Sequence, residues 1–134
     1  MSVPDKYLYE YAVIRFVPRV DREEFINIGL IMMNKRAKWL KSLVILNEER
    51  ILALYPGIDM DCLRNQSGLF EKKDVPATDL PVEEKYRWLT AVKSACLQVS
   101  PSHPGLLIPC DSQKDSVDEL MDLEFNRLFE NLIL

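Results

Sequence analysis

The sequence predicts an α+β fold: an antiparallel sheet of four to five strands, opening with a three-strand meander, with about four helices packed on it. Three observations predict it. Residues 7–17 (YLYEYAVIRFV) and 26–33 (INIGLIMM) are apolar runs of two-residue period, separated by one short charged break. A third such run follows after a short polar turn, as expected of strands paired with their sequence neighbours. Helical spacing is confined to what comes later, most clearly in Val117, Met121, Phe125, Leu128 and Leu132.

In the first run Tyr7, Tyr9, Tyr11, Val13, Arg15 and Val17 share one face, and Leu8, Ala12, Ile14 and Phe16 share the other. Both faces are mostly apolar, so the strand is expected to be covered on both sides. Arg15 is the exception, a permanent cation among apolar neighbours that has to be neutralised. Its candidate partners are Glu24, with Glu23 as alternate, or an anionic ligand shared with Arg87 and His103. An arginine in a strand is more often satisfied internally, which favours the glutamate. Pro18 lacks the amide proton a ladder requires and is expected to end the strand. Asp21 can then cap one helical turn, with Glu24 at the reciprocal position. In the second run Phe25, Asn27, Gly29, Ile31 and Met33 alternate with Ile26, Ile28, Leu30 and Met32. Gly29 inside a strand signals a bulge or the close approach of another group.

The turn at residues 34–38 leads to a third strand ending in Leu43-Val44-Ile45-Leu46. Lys35, Arg36, Lys38 and Lys41 read as a charged, solvated hairpin tip rather than an anion or nucleic-acid contact. Asn47 caps a short helix that Pro56-Gly57 stops, and Asp59 caps a second in which Met60, Leu63, Ser67 and Phe70 keep helical spacing. Residues 72–81 form a surface connection, because too little chain follows for a second domain. Residues 1–134 therefore read as one domain. Pro81 opens a third helix with Val82, Tyr86 and Leu89 inward. Residues 94–99 read as a fourth strand, 100–105 as a rigid polar loop, and 106–108 as a short apolar run closed by Pro109.

A chain of 134 residues can bury a core without disulfide or metal staples. Its net charge of -4 argues against a sequence-blind nucleic-acid binder, which normally has a basic surplus. Cys62, Cys96 and Cys110 form no CxxC pair and leave one over, as expected of reduced thiols in a cytoplasm. Asp5, Lys6 and Glu10 stand where a signal peptide would have a basic head and apolar core, and no apolar run approaches the ~18 residues of a membrane span, so a cytoplasmic protein is expected.

Residues 84–105 (EKYRWLTAVKSACLQVSPSHPG) gather Arg87, Thr90, Lys93, Ser94, Gln98, Ser100 and the single histidine, His103. Such cations, hydroxyls, amide and imidazole are the groups that hold a phosphate or carboxylate. The plainer reading is that Ser100 and Ser102 satisfy a proline-rich turn and His103 bonds the backbone. Nucleophilic catalysis would need Ser94, Ser100, Ser102 or Cys110 activated by His103, and no GxSxG elbow is present. Cys62, Cys96, His103 and Cys110 have zinc-ligand chemistry but not the paired spacing of zinc knuckles. No Walker loop, dinucleotide glycine fingerprint or kinase catalytic loop occurs, so no cofactor and no reaction is assigned.

The stretches YAVIRFVPRVDREEFINIGLIM and EKYRWLTAVKSACLQVSPSHPGL, with Arg127-Leu128-Phe129-Glu130 in the last helix, resemble the bacterial family catalogued as domain of unknown function 3037. The resemblance covers nearly the whole chain. It places the family's recurring polar positions on Arg15, Arg19, Glu24, Asn27, Arg87, Thr90, Ser94, Gln98, Ser100 and His103. The chain departs from the pattern at Lys93, where arginine is expected, and at Val92, where proline is expected. The resemblance implies no activity, but it implies a partner, because members are often encoded beside a HipA-type serine/threonine kinase. Two functional readings follow. One is a non-enzymatic accessory or regulator, binding such a kinase as a toxin-antitoxin component would. The other is a small enzyme or binding domain acting on a phosphate- or nucleic-acid-containing ligand through Arg15, Glu24, Arg87 and His103.

Overall fold

The computed structural model describes residues 7–19, 24–70, 80–91, 97–107 and 116–134, with the side chains of Arg19 and Leu69 outside that description. Strands β1 (Leu8–Arg19), β2 (Glu24–Asn34) and β3 (Trp39–Val44) form the meander. Helices α1 (Glu48–Leu54) and α2 (Met60–Ser67) follow, then a 3-10 turn (Gly68–Phe70), α3 (Val82–Ala91), strands β4 (Leu97–Val99) and β5 (His103–Leu106), and α4 (Val117–Leu132). The sheet runs β3-β2-β1-β4, with β5 beside β4 on the same edge of β1, and every pairing is antiparallel. The longest strand is thus the central one, as its two apolar faces require.

Two clusters sandwich the sheet. Ile14, Phe16, Ile26, Ile28, Ile31 and Met33 pack with Ile51 of α1, Leu63 of α2 and Tyr86 and Leu89 of α3. Tyr9, Val13, Leu30 and Met32 pack on the other face with Met121, Phe125, Leu128 and Phe129 of α4. Burial of these side chains is the main force holding the helices to the sheet. The two caps read from sequence, Asn47 and Asp59, form: Asn47 Oδ1 accepts from Arg50 N and Asp59 Oδ1 from Cys62 N. Ser116 Oγ caps α4 in the same way, accepting from Glu119 N. Lys41 pairs with Asp122 at 3.5 Å and lies 4.8 Å from the Phe125 ring centroid, fastening β3 to α4.

Several boundaries differ from the sequence expectation, each for a physical reason. β1 does not stop at Pro18 but runs to Arg19, because its register with β2 slips between Phe16 and Arg19 and the proline falls in that irregularity. Glu24 is not in a helical cap; it opens β2 opposite Arg19. Asp21 and Glu23 lie outside the described residues. The third strand begins earlier and ends at Val44, with Ile45 N adding one more bond to Ile28 O. Of the expected fourth strand only Leu97–Val99 is seen; residues 92–96, which include Ser94, are not described. The proline-rich loop becomes strand from His103 onward. Leu107 N bonds Tyr7 O, so the alternation of the ladder turns the nitrogen of Pro104 away from β1, where its missing proton costs nothing.

Gly29 makes both features expected of it. Ile14 pairs with Gly29 but Arg15 pairs with Asn27, leaving Ile28 as the extra residue of a bulge. Beyond it the alternation changes phase, so that Ile26 and Ile28 share a face with Ile31 and Met33 rather than with Leu30 and Met32. A Cβ at Gly29 would lie 2.7 Å from Leu43 O and 2.9 Å from Val44 Cγ2.

Candidate functional site

The bulge decides what faces Arg15. Uninterrupted pairing from Ile14–Gly29 would set Ile28 opposite the arginine; the extra residue sets Asn27 there instead. On the other side of β1, Gln98 of β4 is Arg15's partner. Asn27, Arg15 and Gln98 therefore form one polar row across three strands, on the face that α4 packs against. Cross-strand neighbours of this kind stand about 5 Å apart.

The row is incompletely satisfied. The Arg15 guanidinium carbon stands 4.3 Å from the centroid of the Phe25 ring, a cation–π contact. Among the described residues no carboxylate lies within ion-pair distance of Arg15, and Phe25 rather than Glu24 is at its side. The Arg15–Glu24 pair favoured from sequence is not formed. Among the described residues, neither Arg15 Nε nor Asn27 Oδ1, both buried, has a hydrogen-bond partner. The Asn27 amide orientation is chemically fixed, because its Nδ2 donates to Leu132 O at 3.1 Å and only the nitrogen end can donate. Asn27 and Arg50, whose Nη1 donates to Ile133 O at 3.4 Å, thus cap the last carbonyls of α4.

The other expected site residues divide between the faces. Ser100, one row along from Gln98, is buried; its Oγ accepts from Val13 N at 2.8 Å and donates to Pro101 O at 3.0 Å. That hydroxyl replaces a ladder carbonyl at the β4–β5 junction, where Ser100 N already bonds Val13 O. His103 is exposed opposite Tyr11, with ring centroids 5.2 Å apart. Its partner Tyr11 is four positions from Arg15, about 13 Å along β1. Arg87 lies on α3, over the opposite face, pointing to solvent with Glu84 3.9 Å away. Thr90 Oγ1 donates to the carbonyls of Tyr86 and Arg87 inside α3. Arg19 and Ser94 have no described side chain. Arg15, Glu24, Arg87 and His103 therefore do not converge, whereas Arg15, Asn27 and Gln98 do.

Elsewhere on this face Tyr9 OH donates to Glu124 Oε2 at 2.8 Å, and Arg127 donates to the same carboxylate. Burial pushes the Glu124 carboxyl up, but the bonds from Arg127 and Tyr9 outweigh it and hold the group below its ordinary range. Burial, reinforced by Glu124, pushes the Tyr9 phenol up. On the other face the Tyr86 phenol, pushed up to about 12 by burial, bonds Ser102 Oγ at 2.7 Å and ties α3 to the β4–β5 loop.

A cleft of about 410 Å³ lies away from the polar row. Leu8, Met33, Pro104 and Gly105 line it together with the charged Glu10, Lys35 and Arg36. Leu8 of this lining and Leu106, its partner across β1 and β5, are 47% and 41% exposed. Among the described residues no group of three His, Cys, Asp or Glu side chains could hold a metal, and no helix is long and apolar enough to cross a membrane.

Fold and site together define a small α+β domain whose antiparallel sheet carries a polar arginine-carboxamide row beneath a carboxyl-terminal helix. A family model described as protein of unknown function (DUF3037) matches residues 11–124, and the chain belongs to that family. No curated protein and no solved structure matches it.

Proposed function

We propose that the protein is a non-enzymatic accessory or regulatory binding protein, and that a HipA-type serine/threonine kinase encoded beside it is its partner. The observation that carries the reading is the exposed Leu8–Leu106 pair beside a cleft of about 410 Å³ whose lining combines apolar with charged residues. The distribution of the polar residues supports it: the Ser100 hydroxyl is occupied by backbone, and His103 packs against Tyr11 away from Arg15. A nucleophile and its base have to lie within hydrogen-bond reach of one another. Co-expression with the neighbouring kinase should yield a complex that survives purification at low salt, and Leu8→Glu/Leu106→Glu should abolish it while the free chain stays folded. Two folded proteins that fail to co-purify would refute the reading.

A further inference from the structure

We propose that the Asn27–Arg15–Gln98 row is a binding site for a small oxyanion that carries its own hydrogen-bond donor, such as a phosphate monoester or an α-amino acid. The two buried atoms without partners are of opposite kind: Arg15 Nε–H needs an acceptor and Asn27 Oδ1 needs a donor. They belong to residues directly opposite each other, so one group can serve both. The charge narrows the class further. Arg15 has no carboxylate partner among the described residues, and its guanidinium carbon lies over the Phe25 ring. The guanidinium donors lie in its plane, the geometry in which arginine binds carboxylate and phosphate edge-on.

Gln98 completes the site from the other flank. It is half-buried and, among the described residues, its carboxamide makes no hydrogen bond, so it offers both a donor and an acceptor beside Arg15. Phe25, which packs against the cation, is 46% exposed, so this side of the row borders solvent. Solvent could hydrogen-bond both buried atoms, but it would bring no counter-charge.

The test is thermal denaturation of the whole chain titrated with inorganic phosphate, glycine and acetate, with sodium chloride at matched ionic strength as control. The native chain should show a saturable rise in midpoint with phosphate or glycine that chloride does not give, and a smaller one with acetate, which has no donor at neutral pH. Whether phosphate or glycine acts at the lower concentration identifies the source of the oxyanion. Gln98→Glu is the deciding variant, since it puts a carboxylate beside Arg15: it should fold, keep or raise its midpoint without ligand, and bind phosphate or glycine at least about tenfold more weakly. Arg15→Lys keeps the charge but loses the Nε–H and should weaken binding in the same way. A native chain that responds to none of the probes beyond chloride would overturn the proposal, as would a Gln98→Glu protein that responds undiminished.

Discussion

Replacing Ser100 by alanine tests what the most buried of the candidate polar residues does. In the native chain Val13 N–H, inside the central strand, donates at 2.8 Å to Ser100 Oγ rather than to a backbone carbonyl. Ser100→Ala removes that acceptor at a site only 4% exposed, where a methyl group cannot replace it. A buried donor left without a partner costs about 1–3 kcal/mol, so that much should be lost in urea denaturation, with the denaturant dependence unchanged. The cost should be local as well as global. Hydrogen exchange followed by NMR should show the Val13 amide losing protection, while amides in the β1–β2 ladder fall only with the overall stability. Ser100→Thr keeps the oxygen and should recover part of the loss. A stability change under roughly 0.5 kcal/mol with Val13 still protected would refute the assignment and reopen a chemical role for this hydroxyl.

Two further perturbations probe the scaffold. Gly29→Ala places a Cβ 2.7 Å from Leu43 O, and since that neighbour is backbone the sheet has to shift; about 1–3 kcal/mol should be lost in the same denaturation assay. A neutral outcome would mean that the bulge is not held by this close approach. Glu124→Gln should change the acid limb of stability. Because the folded carboxyl titrates below its ordinary range, its contribution is fully present above that range and is lost as pH falls through the folded value. The variant should therefore be less stable near neutrality and lose less on acidification, read as midpoints between pH 7 and pH 3. Parallel curves for the two proteins would count against it.

The sheet was legible because alternation survives in β1: Tyr9 and Val13 went to one cluster and Ile14 and Phe16 to the other, as period two requires. Legibility failed where one residue changes the count. In β2 the period reads straight through 25–33, but the bulge moves Ile26 and Ile28 onto the face of Ile31 and Met33. Gly29 was the visible sign of it. Phe25 was missed as Arg15's companion because charge complementarity points to Glu24, while the strand turns the neighbouring ring toward the guanidinium. Grouping Arg87 and Thr90 with Ser100 and His103 followed their closeness in sequence, yet α3 and β4 lie in different layers. His103 and Pro104 read as loop because proline interrupts ladders, but an edge strand has one side on which a missing proton does no harm.

The bulge also links the fold to the proposed ligand row more tightly than any single contact. Asn27 is fixed from two directions: its amide nitrogen holds the last turn of α4 through Leu132 O, and its backbone sits opposite Arg15 only because Ile28 is left over in the pairing. Regular pairing would put an isoleucine opposite the arginine and leave the row with one carboxamide, from Gln98. Gly29, which allows Leu43 O and Ile14 to close in around the irregularity, therefore contributes to the row without belonging to it. A sheet that needed only stability would gain from a larger residue and regular pairing here. Retaining a bulge that leaves one buried donor and one buried acceptor unpartnered is what a sheet shaped around a ligand would do.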